Sequence, residues 1–355
     1  MATSMSYNIS TISLPTTTTT IIITSNSFPR FCSCNKQLFN RNSIFKLNCV
    51  SKIQSVAAST ATIEINQEDE KPVSTNTDIL ACPICYNPLI HKGDIVEPVS
   101  RPDFQCNTCK KSYYSNEKYL NLTVSSGTKD YSEYTPASTE IFRTPLVSFL
   151  YERGWRQSFS LWGGFPGPEK EFELAKDYLK PVLGGNIIDA SCASGMFTRL
   201  FAKSGLFSLV VGLDFSENML QQCYEFIKQD EGISKENLIL VRADIARLPF
   251  VSSSVDAVHA GAALHCWPSP SSGVAEISRV LKPGGVFVAT TYIIDGIYSN
   301  LPGLREFRQT IGQVSSSHLF LSESELEDLC ILCGLVNFTC VRNGPFIMLS
   351  ATKPR

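Results

Sequence analysis

Three aspartates stand where short apolar runs give way to small or polar residues: Asp189 after Asn186-Ile-Ile, Asp214 after Val210-Val-Gly-Leu, and Asp244 after Leu238-Ile-Leu-Val-Arg-Ala. A carboxylate at a strand's carboxyl end offers two acceptor oxygens and no donor, which suits the paired hydroxyls of a ribose. Behind Asp189 come only small residues, Ala190-Ser191-Cys192-Ala193-Ser194-Gly195. Such a turn lets a ligand approach the backbone, and the helical spacing of residues 196–204, closed by Gly205, aims a helix amino terminus at the same place. Asp214 follows Gly195 by nineteen residues, close to the interval at which a ribose acceptor is expected. Together these residues predict a site for a nucleoside-containing cofactor.

A second constellation is Cys82-Pro-Ile-Cys85 and, twenty residues on, Cys106-Asn-Thr-Cys109. Two such turns each direct two thiolates at one point, and four thiolates complete the closed tetrahedral shell of a structural Zn2+. With all four positions filled by Cys, no position is left for a catalytic water. Disulfides or unrelated thiols are the alternatives, and a reducing compartment disfavours the first. His91, between the pairs, reads as an exposed loop histidine.

The elements that must position these residues alternate along the chain. Residues 186–189, 210–214, 238–241, 255–258 and 286–290 read as strands, and helices are expected at 196–204, 216–230 and 273–281. Ser216 is placed as an N-cap, and Ser322 with Glu325 makes a capping box for a late helix stopped by Gly334. Strands at 335–341 and 345–352 close the sequence. Five βα units, a helix and two strands predict a seven-stranded, doubly wound α/β sheet with an antiparallel last strand. Ahead of the sheet, residues 126–183 form a helical lid or connector, with Pro145 in a first turn or at a kink and a second helix over 169–180. Trp155, Arg156, Trp162 and Phe165 cluster there, as a lid or, preferably, as packing against the sheet. Residues 292–319 read as an irregular stretch with scattered aromatics. Cys330 and Cys333 fall at i, i+3 in a helix and read as core.

Composition divides the chain further. The 355 residues are 43% hydrophobic and 18% charged, and the net charge is -2. Residues 1–63 hold five basic residues and no acid, so residues 64–355 sum to -7. The leader is rich in Ser and Thr, lacks Arg until Arg30 and has no periodicity. It matches a chloroplast transit peptide, the alternative being a disordered tail. A charged linker covers 64–78, a four-Cys zinc ribbon 79–125, and the sheet domain 184–355. No apolar run reaches the eighteen or so residues of a membrane span.

Residues 189–195, Asp214, Ala243-Asp244, the strand-four segment and Leu281-Lys-Pro-Gly-Gly285 together resemble motifs one to five of class I S-adenosylmethionine-dependent methyltransferases, of the type that includes ubiquinone and menaquinone biosynthesis enzymes. The resemblance spans about residues 139–352 and implies a Rossmann-like methyltransferase sheet. The cysteine ribbon, with Tyr119-Leu-Asn-Leu122 behind it, resembles bacterial ribosomal RNA guanine-N1 methyltransferases, and the whole chain is similar to plant chloroplast methyltransferases without an established substrate. One departure is plain. Ser191 and Ala193 replace the first two glycines of the first motif; where φ is positive, an L-residue costs about 1–2 kcal/mol.

The resemblance implies S-adenosyl-L-methionine as cofactor, Asp189 orienting the turn formed by Ala190, Ser191, Ala193 and Gly195, and Asp214 accepting both ribose hydroxyls. It gives Asp244 to the adenine amino group and Ile245 to the ring face, with Phe215 and Met219 lining the pocket. Their local alternatives are a helix-capping Asp214, a turn-forming Asp244 and a core Met219. His265, beyond strand four, is the candidate general base for an acceptor that must lose a proton; His259 reads as structural. For the acceptor, the ribbon argues for RNA and the acidic charge argues against it. A small apolar metabolite, a prenylquinone or lipid precursor in the stroma or at the periphery of a thylakoid or plastoglobule, is the preferred acceptor. A non-catalytic binding protein that keeps the fold is the third reading.

Overall fold

The computed structural model describes residues 77–92, 103–127, 143–156, 163–293 and 321–355. The expected transit peptide, all but the end of the linker, Trp162 and nearly all of the 292–319 stretch lie outside these residues, as does the Trp155 side chain.

The chain enters through a three-stranded antiparallel piece, β1 (Leu89–Lys92), β2 (Asp103–Cys106) and β3 (Ser112–Tyr113). Each cysteine pair sits at a tight turn next to a residue in the left-handed region, Tyr86 at φ 59° and Lys110 at φ 61°. A short β4 (Leu120–Asn121) then leaves the ribbon and joins the large sheet.

The connector begins with α1 (Pro145–Leu150). Pro145 occupies its first turn, where a missing N–H costs nothing, and Thr144 caps it through Val147 N. The helix continues as a wider turn over Tyr151–Trp155. Next come α2 (Pro168–Leu179), β5 (Asn186–Ala190), α3 (Met196–Ser204), β6 (Leu209–Asp214), α4 (Glu217–Gln229) and β7 (Leu238–Arg242). They are followed by β8 (Val255–Ala260), α5 (Pro270–Val280), β9 (Leu281–Tyr292), α6 (Glu323–Leu332), β10 (Val336–Asn343) and β11 (Phe346–Thr352). Ser216 caps α4 as expected, and Ser322 and Glu325 form the full capping box on α6.

The sheet order is β10-β11-β9-β8-β5-β6-β7-β4. The seven expected strands are all present, parallel except for β11, which runs antiparallel to both neighbours. The eighth, β4, pairs parallel with β7 and comes from the ribbon, where two residues give no readable period. Lys282-Pro-Gly-Gly285 is a bulge within β9: Val255 pairs with Leu281 but Ala257 with Val286. The central strands are buried on both faces, as parallel strands covered by helices must be. One buried cluster joins the ribbon's Leu80, Cys82, Phe104, Cys106 and Tyr113 to the sheet's Val241, Ile245, Leu248 and Phe250. This order places the carboxyl ends of β5, β6 and β7 side by side, with β8 on the other flank of β5.

Candidate functional site

The turn after β5 carries the site. Ser191 and Ala193 both adopt left-handed backbone, at φ 58° and 50°, where L-residues cost about 1–2 kcal/mol each. Neighbouring bonds offset the strain. Trp267 Nε1 donates to Ser191 Oγ at 2.9 Å, and Ala193 N donates to Asp214 Oδ2 at 2.9 Å. The first bond is worth about 1 kcal/mol, and one to a carboxylate about 1.5–3 kcal/mol. Gly195, at φ 81°, begins α3; a Cβ there would overlap Cys223 Sγ, so only glycine fits. Cys192 is buried beside Cys223, and the hydrogen bond between the two thiols, with burial, pushes the Cys192 thiol well above its usual range.

Asp189 is 1% exposed. Its Oδ2 accepts from Thr198 Oγ1 at 2.6 Å and its Oδ1 meets His259 Nδ1 at 2.8 Å, so it ties β5 to α3 and β8. His259 is fully buried between Phe197 and Phe201, and its Nε2 makes no hydrogen bond among the described residues. That placement agrees with a structural histidine.

Asp214 lies at the end of β6, half-buried. Besides Ala193 N, it accepts from Ser216 N at 2.8 Å through Oδ1. Burial pushes its pKa up to about 6, while those backbone N–H groups oppose the rise. Each oxygen accepts at least one backbone bond, out of the four or so lone-pair sites that an ionised carboxylate offers. Phe215 beside it lies between the guanidinium groups of Arg143 and Arg242, 5.2 and 5.4 Å from its ring centre. Met219 is buried on the inner face of α4. Ala243 N donates to Asp214 O at 3.1 Å, which brings the next residue, Asp244, to the neighbouring strand end. Asp244 caps a turn over Ile245–Arg247 by accepting from Ala246 N at 2.9 Å, and Ile245 is buried.

Across the turn, the connector closes over α3. Glu152 accepts from Ser194 Oγ at 2.5 Å and from Arg199 Nη2 at 3.0 and 2.8 Å. Burial pushes the Tyr151 phenol up to about 12, with Arg156, Cys266 and Asp214 among the charges it senses. Arg156 pairs through both carboxylate oxygens with Glu171, at 3.0 and 2.9 Å, deep in the interior. Phe165 packs on Phe346 and Tyr292 at 4.7 and 4.8 Å between ring centres. Arg156 and Phe165 therefore pack this segment onto the sheet. His265 follows β8 in a single turn, buried, with Nδ1 3.0 Å from Thr291 Oγ1 and its ring edge-on to Tyr292.

The residues matching the methyltransferase-domain family model run from 188 to 289, from β5 through β9. An uncharacterized chloroplastic methyltransferase of Arabidopsis thaliana is 71% identical over 281 residues, which are 78% of this chain and 79% of that protein. The chain belongs to the S-adenosylmethionine-dependent methyltransferases. A second chloroplastic methyltransferase of Arabidopsis thaliana is 46% identical over 337 residues, covering 89% of this chain and 94% of that one. A demethylmenaquinone methyltransferase of Desulfitobacterium hafniense is 26% identical over 234 residues, or 59% of this chain and 83% of its own.

In this methyltransferase the ribbon's four cysteine sulfurs lie within 4.8 Å of one another. Cys82 and Cys109 are 3.5 Å apart and Cys85 and Cys106 3.3 Å, and none is disulfide-bonded. Zn–S bonds of about 2.3 Å in a tetrahedron need edges of about 3.8 Å, so the two close pairs would open by a few tenths of an ångström and the widest separation would close by up to about 1 Å. Tyr113 Oη lies 3.0 Å from Cys82 Sγ, placed to donate to a thiolate. Hydrogen bonds from Asn87 draw Cys85 down to about 6, while burial pushes Cys109 up to about 12. Four thiols converging this closely suit a cation that would make all four thiolates. His91 is exposed and edge-on to Phe104.

Three residues at the site gave little sequence signal. Trp267 binds the Ser191 hydroxyl across 76 positions, Glu152 reaches the turn from the connector through Ser194, and Tyr151 beside it is buried near enough to sense the Asp214 charge. Only a polar residue where the motif has glycine hinted that a donor was needed nearby.

Proposed function

We propose that this methyltransferase works in the chloroplast and transfers the methyl group of S-adenosyl-L-methionine to a small apolar acceptor, a prenylquinone or lipid precursor. Residues 1–63 serve as its transit peptide, and the stroma or the periphery of a thylakoid or plastoglobule is its place of work. The relatives named chloroplastic support the compartment, and the demethylmenaquinone enzyme supports the acceptor class.

The observation that carries the acceptor reading is a series of aromatic rings at the end of β9 and in the turn after β8. His265, Tyr292, Phe165 and Phe346 stack in one series there. No helix among the described residues is long and apolar enough to cross a membrane.

In this reading Asp214 accepts both ribose hydroxyls on its remaining lone pairs, Asp244 takes the adenine amino group, and Ile245 covers the ring face. Phe215, ahead of α4, and Met219 on it shape the pocket, and the backbone of Ala190, Ser191, Ala193 and Gly195 faces the methionine part while Asp189 holds the turn beneath. The sulfonium supplies an already activated methyl group. The protein's work is to align the acceptor and exclude water, and Tyr151 with Glu152 closes the connector over the turn. His265 takes a proton where the acceptor carries one, with Thr291 fixing its ring. Cys82, Cys85, Cys106 and Cys109 hold a structural Zn2+.

The test is transfer of radiolabelled methyl from S-adenosylmethionine into fractionated chloroplast extract. Label in the organic phase supports the proposal; label in RNA or protein overturns the acceptor class, and no label anywhere overturns the catalytic reading.

A further inference from the structure

Residues 243–251 carry Asp244 and Ile245 yet have little regular structure, a single turn capped by Asp244. The ribbon holds this segment from both ends. At its start, β4 pairs Leu120 with Val241 and Asn121 with Arg242, and Leu122 N donates to Arg242 O at 2.9 Å. At its end, Ala81 N donates to Pro249 O at 2.8 Å and Val251 N to Ile79 O at 2.9 Å, around a bridge between Leu80 and Phe250. In the middle, Arg247 Nη1 donates at 3.3 Å to Pro83 O, inside the first cysteine turn itself. One residue past that turn, the Tyr86 ring lies 4.1 Å from the guanidinium of Arg279, which also donates to Leu248 O and Phe250 O at 2.8 Å each.

These contacts have an energetic consequence. β1–β3 pack one face on the sheet, but they bury too little among themselves to fix the two cysteine turns without the bonds a metal would make to the four thiolates. When residues 79–86 lose their fold, the segment loses two backbone bonds, the Arg247 contact and its apolar floor together. We propose that the metal-loaded ribbon is an internal brace for the adenine side of the cofactor site, so that metal and cofactor bind with positive coupling and Arg247 is the positioning residue between them. This rests on the reading of the four cysteines as a zinc site and of Asp244 and Ile245 as adenine contacts. Coupling of this kind is reciprocal: each ligand must strengthen the other by the same factor.

The experiment uses the full chain loaded with zinc. S-adenosylhomocysteine affinity is measured by calorimetry before and after chelation, and zinc release to a chromogenic chelator is followed with and without saturating S-adenosylhomocysteine. The expected result is an affinity about tenfold weaker without zinc, a coupling of ordinary size, and zinc held about tenfold more tightly with the nucleoside bound. Arg247→Ala should keep its zinc, bind S-adenosylhomocysteine several-fold more weakly and lose most of the protection against release, while Arg247→Lys, which can still donate to Pro83 O, should recover part of it. If chelation unfolds the whole chain by circular dichroism, the release measurement on folded protein decides. Equal affinity with and without zinc in folded protein, or zinc release indifferent to S-adenosylhomocysteine, overturns the brace while both sites stand. Zinc-free protein at purification, or no binding heat from the loaded chain, overturns the site assignments and the brace with them.

Discussion

Asp214 concentrates the chemistry of the turn in one carboxylate. It is held by Ala193 N and Ser216 N, and burial lifts it to about 6. Because this value lies above that of an unfolded Asp, about 3.9, the folded chain holds the proton more tightly. The group therefore favours folding at acidic pH, and the contribution fades as pH rises through about 6. Ribose hydroxyls demand the opposite, an ionised acceptor. S-adenosylhomocysteine affinity measured by calorimetry should fall as pH drops below about 6, and Asp214→Asn should flatten the profile. Asp214→Ala removes two bonds to a charged acceptor, each about 1.5–3 kcal/mol, and should weaken binding on the order of a hundredfold or more. Ala193→Gly tests the strained turn. Relief of about 1–2 kcal/mol is set against the glycine entropy of about 0.5–1 kcal/mol, so thermal unfolding should shift up by a few degrees at most. A fall in melting temperature would refute the account of the strain.

At the level of elements, the connector is fastened by two ion pairs of unequal weight. Glu152 with Arg199 is partly wet, and Glu152→Gln should cost little stability while loosening the cover over Ser194. Arg156 with Glu171 is deep, at 7% and 1% side-chain exposure. Arg156→Ala strands a buried carboxylate, a loss of about 3–5 kcal/mol that urea unfolding would register; replacing both partners with apolar residues should recover most of it. The strands and helices of this layer were largely readable beforehand, because β5, β6 and β8 each carry a short apolar stretch bounded by turn residues, and α3, α4 and α6 announce themselves by Gly205, Ser216 and Ser322. The aspartates could be placed at strand ends for the same reason. What escaped was long-range: Trp267 answering Ser191, Glu152 answering Ser194, and β4 joining β7. Two residues have no period, and a hydrogen bond spanning 76 positions leaves no trace in local spacing.

For the molecule as a whole, the ribbon shares a buried cluster with the sheet and is no appended arm. With residues 64–355 summing to -7, association with plastid RNA should be weak and nearly flat in salt; a steep dependence in a binding titration would argue for a nucleic-acid acceptor. The ribbon's last strand matters in another way. By lying along β7, Leu120–Asn121 occupy the border where the parallel sheet would otherwise end in unpaired amides and carbonyls. A clone trimmed to begin at residue 126, as a domain diagram would suggest, uncovers that border and the apolar hollow that Leu122 fills. Bare margins of this kind recruit strands from other chains. Light scattering should find such a trimmed product self-associating, whereas one beginning at residue 77 stays monodisperse, so crystallographers and enzymologists alike would do well to keep residues 77–125 on.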